Sequence, residues 1–305
     1  MGVTVSKLCW KFSGRSKEMK RPLWRAGLTG LVLVVVCGLI SVPAQGADRK
    51  LSLGLGFEFA TGDYGTDDTT DSYKIPLMVN YYPTDRLGFD LEIPYIYQSN
   101  STTVTLGGMR FPAHEEEGGG QQGPGHGGMG SSTTSSTTSV DLSDSQSGLG
   151  DITLTASYIV LEEQEQFPLV RPLLYVKFPT ADEDEGLGTG EFDYGGGLGL
   201  AKWFGKWSTY LEGMYILPGS SGDFDPDNYW TYLVSASYRL TDNLRPGVSL
   251  SGGTAAFDEA SDPLEARLKL SYWASERASL GGYLATGLSD GSPDFGAGIF
   301  GFVNF

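Results

Sequence analysis

Residues able to do acid–base or metal chemistry are scarce in this chain. His114 and His126 are its two histidines, and with Met129 they make the kind of donor set that holds a soft metal. They are weak metal candidates, because their spacing matches no ordered site and a dedicated site needs donors in fixed geometry. Asp90 and Glu92 stand two apart, so an extended segment puts both carboxylates on one face. There they could share acid–base work or, more simply, pair with bases across an interior. A serine–histidine hydrolase built into a barrel wall needs its histidine on a rigid strand; both histidines fall instead in a stretch rich in Gly, Ser and Thr. No Gly-rich phosphate loop precedes a helix. The reactive inventory predicts neither an enzyme nor a bound cofactor.

The N-terminus accounts for the missing thiols. From Met19, a second candidate start, the chain passes through Lys20, Arg21 and Arg25 into an apolar run from Leu28 to Val42, then Pro43-Ala44-Gln45-Gly46-Ala47. A basic segment, a short apolar core and a small-residue cleavage region are the parts of a secretory signal, and the run is shorter than the roughly 20 residues that span a bilayer. Residues 1–47 are thus predicted to be a cleaved signal peptide and 48–305 the mature chain. Cleavage removes Cys9 and Cys37, which leaves no thiol for a disulfide, a metal or a nucleophile. It also removes seven bases against Glu18, moving the formal charge from −16 to −22. So acidic a chain excludes nucleic acid as a partner, since phosphate needs a basic face.

Beyond Ala47, the elements that must position everything else are extended. Leu51, Leu53, Leu55, Phe57 and Phe59 alternate with Ser52, Gly54, Gly56, Glu58 and Ala60, and the pattern repeats from Tyr73 to Tyr81 and from Leu87 to Tyr97. Period-two alternation is the signature of a strand with two unlike faces. Further strands are expected near 149–161, 169–179, 191–204, 207–217, 228–240, 244–252, 263–273, 278–288 and 294–305, which makes twelve. The connections 62–71, 99–148, 180–190, 218–227 and 253–262 are long, whereas 83–86, 162–167, 205–206, 241–243 and 274–277 are short. An even strand count, with short turns on one side and long loops on the other, is the outer-membrane pattern.

A soluble sandwich or lipocalin also alternates, but such strands need be only about five or six residues long. These run to about eleven, near the length that crosses a bilayer at a tilt. Tyr81, Tyr82, Phe89, Trp203, Phe204, Trp207, Tyr238, Tyr272 and Trp273 collect at the short-turn ends, as an interfacial girdle does. The expected fold is an all-β, transmembrane, antiparallel up-and-down barrel in the cell outer membrane, in contact with lipid and lipopolysaccharide.

If the apolar face meets lipid, the other face lines the lumen. On that parity stand Glu58, Asp90, Glu92, Asp151, Asp193, Glu212 and Glu265, and the bases Lys74, Arg171, Lys177, Arg239, Arg245, Arg267 and Lys269. Their equal numbers predict a near-neutral lumen of paired charges rather than a single-signed filter. Lys202 has the wrong parity, and near a short turn its stem could snorkel to the interface. Twelve strands enclose a narrow bore, which Tyr175, Tyr210, Tyr283 and Arg267 are large enough to fill in part. Gly195, Gly197 and Gly199, all inward, mark either a path over exposed backbone or a bend in the wall. Acids crowd the long loops at Asp63, Asp67, Asp68, Asp71, Glu115 to Glu117, Asp182 to Glu185, Asp223, Asp225, Asp227, Asp258, Glu259 and Asp262. They either concentrate cations at the outer mouth or simply keep the loops solvated. Residues 99–148, with Gly118-Gly119-Gly120 and the run Ser131 to Ser139, read as a low-complexity extracellular loop.

Ser147-Gly148-Leu149-Gly150-Asp151-Ile152-Thr153-Leu154, then Val176-Lys177-Phe178-Pro179-Thr180-Ala181-Asp182, Gly186-Leu187-Gly188-Thr189-Gly190 and Asp193-Tyr194-Gly195, resemble the outer-membrane transporter family named for the meta-pathway of phenol degradation. The resemblance spans residues 148–217 and implies a twelve-stranded outer-membrane barrel that takes up small solutes, aromatic or hydrophobic compounds among them. The C-terminal Phe305 resembles the signal by which the barrel-assembly machinery recognises such proteins. A channel or transporter is therefore the leading expectation. The alternative is a non-conducting outer-membrane anchor whose acidic loops bind ions or a partner.

Overall fold

Alternation along each segment becomes pairing between segments. In the computed structural model, the described residues are 50–66, 68–99, 103–106, 109–112, 145–220, 225–257 and 260–305. They form β1 (Leu51–Gly62), β2 (Thr70–Tyr81), β3 (Leu87–Gln98), β4 (Thr103–Leu106), β5 (Met109–Pro112), β6 (Gln146–Leu149), β7 (Ile152–Tyr158) and β8 (Leu169–Phe178). The chain continues through β9 (Asp193–Phe204), β10 (Trp207–Leu217), β11 (Tyr229–Tyr238), β12 (Leu244–Gly253), β13 (Leu264–Trp273), β14 (Ala278–Gly287) and β15 (Phe295–Asn304). Antiparallel pairs link neighbours around the wall, and β1 meets β15 from Ser52 opposite Asn304 to Thr61 opposite Phe295. The sheet closes on itself, which removes the unpaired edge that an open sheet leaves.

Twelve wall strands are present among the described residues, because β6 and β7 are successive parts of one strand along β3. Alternation alone reads them as a single strand over 149–161. The interruption falls at Gly150-Asp151, opposite Pro94, whose ring nitrogen cannot donate to a ladder. The Gly150 N–H donates instead to the Pro94 carbonyl at 2.8 Å.

The faces have the sign a bilayer requires. Leu174, Leu268 and Ile299 on the apolar parity are 68%, 60% and 66% exposed, whereas Ser157, Lys177 and Asp193 on the other parity are buried. A surface so apolar around the whole wall is stable only against hydrocarbon. Exposed Tyr81, Trp203, Phe204, Trp207 and Tyr272 ring the short-turn end, where Trp207 meets Tyr238 at 5.0 Å between centroids. A second aromatic band, with Tyr73, Tyr97, Tyr194 and Trp230, rings the long-loop end. Trp273 departs from the expected girdle: it turns inward, with the Arg245 guanidinium 4.5 Å above its ring.

The loop side holds one element that composition hides. Inside the stretch expected to be low complexity, β4 and β5 pair as a hairpin from Thr103 opposite Pro112 to Leu106 opposite Met109. The signal was Val and Thr alternation up to Gly107-Gly108, a combination that favours a tight hairpin. The predicted signal peptide lies outside the described residues, as do His114, His126, Met129, Asp67, Glu115 to Glu117, Asp223, Asp258 and Glu259.

Candidate functional site

Inside the ring the charged residues pair across neighbouring strands. Lys74 on β2 sits 2.9 Å from Glu58 on β1 and 3.1 Å from Glu92 on β3. The Tyr283 hydroxyl on β14 donates to Glu58 at 2.6 Å, and Arg267, paired with Glu265, stacks 4.5 Å from the Tyr283 ring. Arg171 on β8 donates to the Tyr210 hydroxyl at 2.6 Å and lies 3.8 Å from Glu212. Such networks are stable inside a barrel because each buried charge finds an opposite charge or an aromatic face.

The third network is the most enclosed. Lys177 on β8 reaches Asp151 at 3.2 Å and Asp193 at 3.1 Å, and donates to the Thr189 hydroxyl at 2.8 Å; lysine, Asp193 and threonine are all buried. Asp151 also accepts the backbone N–H groups of Thr180 and Ala181 at 3.1 and 3.0 Å. These are the residues that carry the family resemblance in the sequence, brought together from three strands and one loop. They fasten the long connection after β8 to the rim of the barrel, so their chemistry is structural.

Over β9 the inner wall is closely packed. Inward Gly195, Gly197 and Gly199 leave no open groove, because an added Cβ at each would meet Ile216, Met214 or the Tyr210 hydroxyl within 3 Å. The expected path over exposed backbone is absent at these three glycines, where β10 side chains lie over the β9 backbone. A matching arrangement crosses the closure, where the Phe302 and Phe300 rings cover Gly54 and Gly56 on β1. A cavity of about 690 Å³ remains in the lumen, bordered on the β8–β10 side by Tyr175, Glu212, Met214 and Ile216. It is lined at the loop end by Tyr64 and Arg110 and at the short-turn end by Trp273 and Phe302.

The β4–β5 hairpin reaches this interior. Phe111 is buried against Tyr229 and Phe257, with ring centroids at 6.4 and 5.8 Å, and Arg110 stands 5.8 Å from the Tyr64 ring. Tyr64 adopts a left-handed φ of 53°, which a bulky residue takes only where its surroundings hold it. Burial pushes the Tyr64 hydroxyl above its ordinary range and the Arg110 guanidinium below its own, and each partly offsets the other. The described hairpin thus brings one aromatic and one cationic side chain to the loop end of the interior.

Most of the expected lumen residues face inward and meet one another. Arg239 does not: it lies one residue beyond β11, exposed in a short turn. Lys202 bonds Glu163 at 2.7 Å and several carbonyls of the neighbouring turn, so it is paired rather than snorkelling. Among the described residues Asp90 and Lys269 have no ion-pair partner. Several loop acids shape turns: Asp63 accepts the Gly65 N–H at 3.1 Å and Asp262 the Ala255 N–H at 2.8 Å. Sequence reasoning missed Tyr64, Arg110, Phe111, Phe300 and Phe302. Parity alone puts the last two inside, whereas nothing local places the first three.

An apolar, aromatic-banded exterior around a charge-paired, partly hollow interior defines a transmembrane β-barrel of the bacterial outer membrane. The family described as "Putative MetA-pathway of phenol degradation" matches residues 113–305, and the chain belongs to it. The solved structure of the COG4313 outer membrane channel from Pseudomonas putida F1 is 17% identical, with a TM-score of 0.58 over 87% of this chain and 100% of that one. The KdgM porin is 10% identical, with a TM-score of 0.49 over 83% of this chain and 99% of that one. No curated protein sequence matches the chain.

Proposed function

We propose that the chain is an outer-membrane channel for small solutes, aromatic or hydrophobic compounds among them. The observation that carries this reading is the cavity that runs from Arg110 at the loop end to Trp273 at the short-turn end. Its walls mix charge with the rings of Tyr283, Phe300 and Phe302. The fold shared with the COG4313 outer membrane channel supports it, as does the family's association with phenol degradation.

Phe111 in the mouth favours a second reading, a plugged barrel that serves as an anchor. Ion flux into liposomes carrying the mature protein separates the two. Phe111→Ala and deletion of residues 100–144 are both expected to raise flux several-fold over the parent. Flux absent from all three proteins would establish the anchor.

Phe305 is the proposed assembly signal. Its N–H donates to the Leu51 carbonyl at 2.8 Å, next to the strand pair that closes the ring. Removing Phe305 is expected to cut the amount of heat-modifiable barrel in outer-membrane fractions several-fold while secretion continues. Normal membrane levels would exclude that role.

A further inference from the structure

Charges inside the barrel nearly balance in number but not in position. In the strand order around the ring, β12 and β13 stand half-way round from β3 and β7. The β12–β13 wall presents Arg245, Arg267 and Lys269 against one acid, Glu265; the β3–β7 wall presents Asp90, Glu92 and Asp151. Glu92 is paired with Lys74 and Asp151 with Lys177, so among the described residues Asp90 is the unmatched acid of that wall.

Of the bases on the positive wall, Arg267 is neutralised by Glu265 and Arg245 lies over Trp273. Lys269 lines the cavity with no hydrogen-bond or ion-pair partner among the described residues. Its register neighbour is Tyr283, whose ring stacks with Phe300 at 5.9 Å and an interplanar angle of 21°. A second cation unmatched among the described residues overlooks the same cavity from the mouth: Arg110, whose Nη1 is buried with no hydrogen-bond partner among them. A buried cation left without an acceptor is costly unless a ligand or water supplies one.

We infer that this cavity binds a small organic monoanion with a flat apolar body, an aromatic carboxylate being the class that fits. Arg110 meets the carboxylate at the mouth, Lys269 holds it at mid-barrel, and the rings of Tyr283, Phe300 and Trp273 flank its body. Single spare cations at two heights suit one negative charge moving between them, and conduction requires sites that bind without trapping. The cavity volume lies within the range of about 300–1,000 Å³ usual for small-molecule sites. This inference rests on the channel reading and adds to it the charge of the solute.

The test uses the refolded mature chain in planar bilayers, with benzoate and neutral benzamide as probes. Benzoate is expected to block chloride current at concentrations where benzamide does not. Lys269→Gln should weaken the block about tenfold, Arg110→Gln should weaken it several-fold, and Lys269→Arg should restore most of it. Calorimetric titration of benzoate into the detergent-solubilised protein should show the same ranking without requiring conductance. Current that benzamide blocks as well as benzoate, or a block and a heat unchanged in Lys269→Gln, overturns the inference and leaves the channel reading standing. Absence of any current overturns the channel reading, and the calorimetry then decides the site by itself.

Discussion

Lys177→Met is expected to destabilise the barrel by about 3–5 kcal/mol, the cost of leaving buried charge without its partner. Two carboxylates, Asp151 and Asp193, converge on the ammonium of a lysine that is 1% exposed, and methionine matches the lysine stem but not its charge. Unfolding in urea from lipid vesicles, followed by tryptophan fluorescence, measures the loss. Adding Asp151→Asn and Asp193→Asn should recover most of it, because a neutral set of similar shape removes the repulsion. An unchanged midpoint for Lys177→Met would mean that water screens this cluster.

The next largest effect concerns the outer wall. Leu268→Arg, at the middle of β13 and 60% exposed, should cost about 2–4 kcal/mol in a bilayer, the range for arginine near the midplane. Ser251→Arg should cost much less: it lines the cavity and stands opposite Glu265 in register. The same vesicle unfolding assay compares the two. Equal tolerance would reverse the assignment of faces. Position along the strand matters as much as parity. Leu53 has the lipid parity but lies only two residues from the start of β1, where such a charge would cost far less.

The cluster around Lys177 also shows what a family motif can encode. Its glycines, threonines and aspartates carry the family resemblance in the sequence. In the fold they tie the connection after β8 to three strands, and Gly190 takes a positive φ of 69° beside Glu183. The residues that meet the open cavity, Lys269, Tyr283 and Phe300 among them, lie outside that motif.

Strand number, facing and location in the outer membrane follow from sequence because they depend on local periodicity: each strand is two-faced by itself, and only one surrounding suits the apolar face. Pairings such as Glu58 with Lys74 were half legible for the same reason, since parity selects the interior but not the partner. Tertiary structure decided the rest. Whether the inward glycines opened a path depended on β10 side chains from the neighbouring strand. The segregation of bases on β12–β13 from acids on β3–β7 appears only when the sheet closes and sets distant strands face to face. Arg110 and Phe111, in a loop that reads as low complexity, meet aromatic partners only because the ring places Tyr64, Tyr229 and Phe257 within reach. Closure is a long-range event, and no run of neighbouring residues records what it will bring together.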